Sequence, residues 1–127
     1  MERGANGINN SIEILPHPFL NHNETQLLKA FVVKIFSFQP SVKRLYLYGS
    51  KARGDFLEES DLDLLIVTDR LLSRRERYEI NDLLFELEVQ YDVTVSTVYV
   101  TIEDIDAKKS LFLKEVYKEG ILLWSRE

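Results

Sequence analysis

The sequence predicts a single-domain α/β (α+β) fold in which a mixed central sheet is flanked by helices. Runs rich in β-formers near residues 43–48, 61–68 and 91–101 alternate with segments whose apolar residues recur at helical spacing. The chain has 127 residues, which suits one domain that buries about two thirds of the surface its unfolded form exposes.

Composition narrows the function classes. There is no cysteine, so disulfides and thiolate metal sites are excluded. No apolar run approaches membrane-spanning length and no apolar signal core opens the chain, which reads as a soluble, cytoplasmic protein with no membrane partner. A net charge of −5 argues against a dedicated nucleic-acid binder, because such affinity comes largely from cations on phosphates. It leaves room for a basic protein partner.

Residues 1–22 contain Gly4, Gly7, Pro16, Pro18 and several asparagines, and read as a flexible or loosely docked lead-in to a domain spanning 23–127. Ser11 to Leu15 could add a short edge strand. His17 and His22 have no third ligand near them in sequence and do not make a metal site. Asn23 with Gln26 forms a capping pattern, and Leu27, Leu28, Phe31, Val32 and Ile35 follow at helical spacing. Phe36 and Phe38 should close the core at the end of this helix, and Pro40 with Ser41 should break it.

A first strand is expected over Lys43 to Tyr48 and a second over Asp61 to Thr68. The second is nearly continuous in apolar residues after its carboxylates, which places it at the centre of the sheet, covered on both faces. Between them Glu58 and Glu59 read as a solvated loop. Ser73 with Glu76 makes a capping box, followed by Ile80, Leu83, Leu84 and Leu87 on one helical face through about Val89. Arg70, Arg74, Arg75 and Arg77 crowd its start, where the helix dipole disfavours cations. They read as a solvated cluster, with docking of an acidic partner or a nucleotide as the alternative. Tyr91 to Thr101 is the most β-rich run. Ile102 to Glu119 reads as one helix capped by Thr101 with Asp104 and ended by Gly120 as a left-handed cap. Ile121 to Trp124 is a last short strand, with Trp124 as an edge or core plug.

The chemistry-bearing residues gather around the first two strands. Asp61 and Asp63 are one residue apart, so on a strand their carboxylates stand on one face, ~7 Å apart at the Cα atoms. They are a ready pair of oxygen ligands for a hard divalent cation. Gly49 permits a tight turn, and backbone N–H groups after it, with the Ser50 hydroxyl, suit a phosphate chain to which Lys51 and Arg53 add positive charge. Asp92, Thr94 and Ser96 would share the polar face of the third strand, and Asp92 completes an acidic cluster if that strand lies beside the second. Gly49 and Gly54 have the glycine spacing of a Walker A loop, but Asp55 and Phe56 stand where that loop needs Lys and Ser or Thr, so a P-loop is rejected.

Gly49-Ser50, ten residues, then Asp61-x-Asp63, with Lys51-Ala52-Arg53-Gly54-Asp55 inside and Ser60-Asp61-Leu62-Asp63-Leu64 at the end, resembles the signature of polymerase-beta-like nucleotidyltransferases. More narrowly it is similar to the minimal nucleotidyltransferases, small prokaryotic proteins that are little more than the catalytic domain. The resemblance implies a polymerase-beta-like nucleotidyltransferase fold and a site in which Asp61, Asp63 and Asp92 are catalytic and hold Mg2+, with two ions expected. It implies that Gly49, Ser50, Lys51 and Arg53 bind the nucleotide, with ATP as substrate. It further implies an antitoxin that transfers AMP to a tyrosine of a HEPN-type toxin. The chain has no length for a domain that binds a second substrate, so the acceptor hydroxyl should come with a partner. A module that masks a toxin by contact without chemistry, and transfer to a small-molecule or RNA hydroxyl, are the alternatives. Self-association into a homo-oligomer is compatible with everything above.

Overall fold

The computed structural model describes residues 13–15, 17–57 and 60–127, so Glu58, Glu59 and most of the expected lead-in lie outside the described residues. In chain order the elements are α1 (His22–Phe38), β1 (Val42–Tyr48), α2 (Gly49–Arg53), β2 (Leu62–Thr68), α3 (Arg74–Tyr91), β3 (Val95–Thr101), α4 (Ile102–Asp106), α5 (Leu111–Glu119) and β4 (Ile121–Ser125). The four strands make one mixed sheet of order β3-β2-β1-β4, antiparallel except where β2 meets β3.

β2 is interior, and Leu64 to Thr68 are all buried, as its unbroken apolar run requires. The pleat sends its side chains into two separate layers. Leu62, Leu64 and Ile66 pack with α1 and α3 against Phe31, Ile35, Ile80 and Leu84. Leu65 and Val67 face the other way and meet Ile105 of α4 with Leu113 and Val116 of α5. Trp124 is 1% exposed and fills the first layer from β4. Ahead of α1, Ile14 joins the same layer and Leu15 N–H donates to Leu123 O at 2.8 Å, although 13–15 do not form a strand.

Several boundaries differ from expectation for identifiable reasons. α1 is capped by Asn21, not Asn23: the Asn21 side chain accepts from Glu24 N–H at 2.8 Å while Glu24 Oε1 accepts from Asn21 N–H at 2.9 Å. This box puts a carboxylate, not an amide, at the positive end of the helix. At the other end Phe36 packs on the core but Phe38 is half exposed. The carbonyls left open there are covered by Arg126, which donates to Gln39 O at 2.6 Å and to Phe36 O, and which also reaches Val42 O of β1 at 2.7 Å. The expected helix from Ile102 to Glu119 is interrupted, with Lys108 at φ 51° and a second cap at Ser110, which accepts from Leu113 N–H at 3.1 Å. A continuous helix of that length would extend about 27 Å, whereas the break lets Ile105, Leu113 and Val116 fill one layer. Gly120 is extended (φ −69°, ψ 151°), not left-handed. It is needed because a Cβ there would lie 2.4 Å from Val116 O.

The short helix α2 is pinned to α1 by a buried ion pair. Lys51 Nζ lies 3.1 Å from Glu24 Oε2, with both side chains under 5% exposed (3% and 4%). The ammonium also sits 4.0 Å from the centre of the Phe56 ring. Removing one partner leaves the other charge buried and alone. Lys51→Leu is therefore expected to cost about 3–5 kcal/mol in urea unfolding, and Lys51→Leu with Glu24→Gln should recover part of that loss. A single variant as stable as the wild type would show that the pair does not hold α2.

Candidate active site

The antiparallel register of β1 with β2 sets Tyr48 opposite Asp63. Gly49 follows at φ +73°, and a Cβ built on it would lie 2.3 Å from Asp63 Oδ2. Backbone angle and close approach both select glycine here. The Asp63 carboxylate thus rests against the bare Cα that opens α2, and the predicted turn and the predicted carboxylate are in contact.

Asp61 stands just before β2. The parallel register of β2 with β3 sets Ser96 opposite Asp63, and Ser96 Oγ donates to Asp61 Oδ2 at 3.1 Å. Asp61, Asp63 and Ser96 therefore share the face that carries Leu65 and Val67 further along, on the side of α4 and α5. Partial burial, and then the neighbouring Asp61, hold the Asp63 carboxyl above the usual carboxylate range, with Arg53 pulling the other way. Burial and then Asp63 likewise raise the Tyr48 phenol.

The remaining expected site residues divide. Ser50 follows Gly49 within α2. Arg53 is exposed, donating from Nε to Asp55 Oδ2 at 3.2 Å and lying 3.9 Å from Glu119, so it can exchange partners for a phosphate. Lys51 cannot: it is buried in its pair with Glu24, and its expected place on the nucleotide is corrected to a role in holding α2.

Asp92 is also displaced. It was expected on a strand beginning at Tyr91, but α3 runs on to Tyr91 and Asp92 is its exposed C-cap, left-handed at φ 56° and ψ 52°. Asp accepts this conformation more readily than most residues. Glu88 then accepts from Val95 N–H at 2.8 Å, and the strand starts there. Among the described residues no group of three or more His, Cys, Asp or Glu side chains could hold a metal ion, so Asp92 does not join Asp61 and Asp63. The two aspartates alone fit a hard divalent cation by ligand type and by their shared face.

Two features escaped the sequence reading. Ser96 was placed on the polar face of its strand but given no role, and only the strand register aligns it with Asp63. A cleft of about 300 Å3 opens beside Gly49 and Arg53, walled by Tyr48 and by Phe112 of α5. The two rings meet edge to face at 5.3 Å. Nothing local in the sequence marks Phe112 as a neighbour of Tyr48.

A family model described as "Polymerase beta, Nucleotidyltransferase" matches residues 31–127. The candidate protein adenylyltransferase MJ0604 of Methanocaldococcus jannaschii is 37% identical over 105 residues, 80% of this chain and 99% of that one. A second from the same organism, MJ0141, is 29% identical over 97 residues, 76% and 94% of the two chains. Among solved structures, a candidate nucleotidyltransferase from Sulfolobus solfataricus superposes with a TM-score of 0.57 at 24% identity, covering 80% of this chain and 79% of that one. A toxin–antitoxin structure with AMP-PNP superposes at 0.54 and 22% identity, covering 76% and 72%.

The contact of Gly49 with Asp63 makes an energetic prediction. Gly49→Ala is expected to lose about 1–2 kcal/mol from the left-handed backbone, plus the cost of displacing the carboxylate. In the double variant with Asp63→Ala the second cost disappears, so the two substitutions should couple by at least ~0.5 kcal/mol in chemical unfolding. Strict additivity would mean that the two residues do not touch.

Proposed function

The chain belongs to the polymerase beta nucleotidyltransferase family, and on that footing we propose that it is a Mg2+-dependent protein adenylyltransferase, transferring AMP from ATP to a hydroxyl of a partner protein. The observation that carries this reading is the packing of Asp63 against Gly49, which makes a cation-binding carboxylate and a turn with free backbone N–H groups into one surface. The N–H groups of this turn and the Ser50 hydroxyl receive oxygens of the β and γ phosphates. Arg53 gives up Asp55 to meet the charge that develops on the leaving group. Asp61 and Asp63 hold the cation. A bound Mg2+ supplies Lewis acidity at the phosphates. The acceptor oxygen attacks the α phosphorus in line as the bond to the bridging oxygen breaks, its proton passes to solvent, and pyrophosphate departs. The cleft beside Gly49 and Arg53, walled by Tyr48 and Phe112, offers aromatic edges to the nucleoside.

We assign the acceptor to a tyrosine of a HEPN-type toxin, with the chain acting in the cytoplasm as its antitoxin. Support comes from the relatives named for protein adenylylation and from the shared fold of toxin–antitoxin structures. No helix among the described residues is long and apolar enough to cross a membrane. The displacement of Asp92 favours a second reading of the neutralising role, in which the chain masks the toxin by contact.

Incubation with the protein encoded beside it, ATP and Mg2+, followed by intact-mass measurement of that protein, separates the two. Under the transfer reading the partner gains AMP, EDTA stops the gain, and added Mg2+ restores it. Asp61→Asn and Asp63→Asn should each reduce transfer at least ~100-fold while the circular dichroism spectrum stays unchanged. Full toxin neutralisation by those two variants would establish masking.

A further inference from the structure

The fold family implies three carboxylates and two cations, and among the described residues two carboxylates and a hydroxyl come to the corresponding face. We infer that the site takes a single divalent cation, held by Asp61 and Asp63, and that Ser96 is a positioning residue that aims the Asp61 carboxylate at it. The inference rests on the nucleotidyl-transfer reading and adds to it a metal count and a role for position 96.

The register settles which residue of β3 faces the pair. Leu62 pairs with Val95 and Asp63 with Ser96, and Leu62 N–H donates to Thr94 O at 2.9 Å, so Ser96 lies directly beside Asp63. A carboxylate at 96 would give a third anionic ligand on that face. The residue present is neutral, and its one proton is committed to Asp61 Oδ2 at 3.1 Å. The neighbours of Ser96 on the strand offer no replacement. Thr97 and Tyr99 turn to the opposite face, where both hydroxyls meet Asn81 of α3, and Asp92 caps α3 outside the strand. No third His, Cys, Asp or Glu among the described residues completes the set. Two carboxylates with phosphate oxygens and water can fill the six positions of one Mg2+, but a second ion would have no carboxylate that is not shared with the first. The hydrogen bond from Ser96 fixes the rotation of Asp61, the usual work of a partner behind a metal ligand, whose loss typically weakens metal binding tenfold or more.

The test counts ions, not turnover. The full chain is titrated with Mn2+ in the presence of AMP-PNP, and bound Mn2+ is measured by electron paramagnetic resonance against bound nucleotide. The expected result is one Mn2+ per bound nucleotide for the wild type and two for Ser96→Asp. Ser96→Ala should keep the single ion with about tenfold weaker affinity, and Ser96→Thr, which retains the hydroxyl, should restore it. Two ions on the wild type would overturn the inference while leaving nucleotidyl transfer intact. So would Ser96→Ala binding as tightly as the wild type, or a folded Ser96→Asp that still holds one ion. If Ser96→Asp fails to fold, the wild-type count and the Ala and Thr pair still decide. Retention of neither Mn2+ nor AMP-PNP by the wild type would overturn the transferase reading itself, and this inference with it.

Discussion

Two like charges held at one end of a sheet are the constraint around which this molecule is arranged. Side by side at ~7 Å with an effective dielectric near 20, a pair of carboxylates repels by about 2 kcal/mol, and burial of one adds to the cost. The antiparallel register of β1 and β2 seats Asp63 opposite Tyr48 and therefore against Gly49. Burial first, and then the neighbouring Asp61, hold the Asp63 carboxyl above the usual carboxylate range. A divalent cation between the pair reverses the sign of the interaction, so the fold holds an unfavourable feature that binding would relieve.

Holding such a feature still requires rigid surroundings. β2 is clamped between two apolar layers, so the aspartates at its start cannot drift without disturbing both. α2 is too short to be stable alone, and the buried pair of Lys51 with Glu24 ties it to α1. Glu24 serves twice, since its other oxygen completes the cap of the helix it belongs to. At the far end of α1, Arg126 closes the open carbonyls of Phe36 and Gln39 from beyond β4. A single helix is thus fastened at one end to the candidate phosphate turn and at the other to the last strand.

The differences from the pattern expected of the family are concentrated on β3. Its start is delayed until Val95 because Asp92 is used as a left-handed helix cap, and the position that reaches Asp63 is a serine. The carboxylate pair at the start of β2 and the contact of Asp63 with Gly49 are unaffected. What changes is the β3 side of the pair, where the neutral Ser96 hydroxyl donates to Asp61.

By itself the sequence determined the local parts. The Gly49-Ser50 turn, the spacing of Asp61 and Asp63, the apolar run of β2 and the Ser73 to Glu76 cap depend on residues close in the chain, where glycine conformation, strand alternation and capping act directly. Three decisions belonged to the tertiary structure. Asn21 with Glu24 and Asn23 with Gln26 fit the same capping rule, and only the first also gives Lys51 a buried partner. Lys51 looked like a phosphate ligand because sequence spacing does not reveal burial. Asp92 and Ser96 both had the right alternation for the polar face, and only the parallel register of β2 with β3 selects Ser96. That register is set by how two apolar layers interlock across residues more than thirty positions apart, a sum of packing contacts that no short stretch of sequence contains.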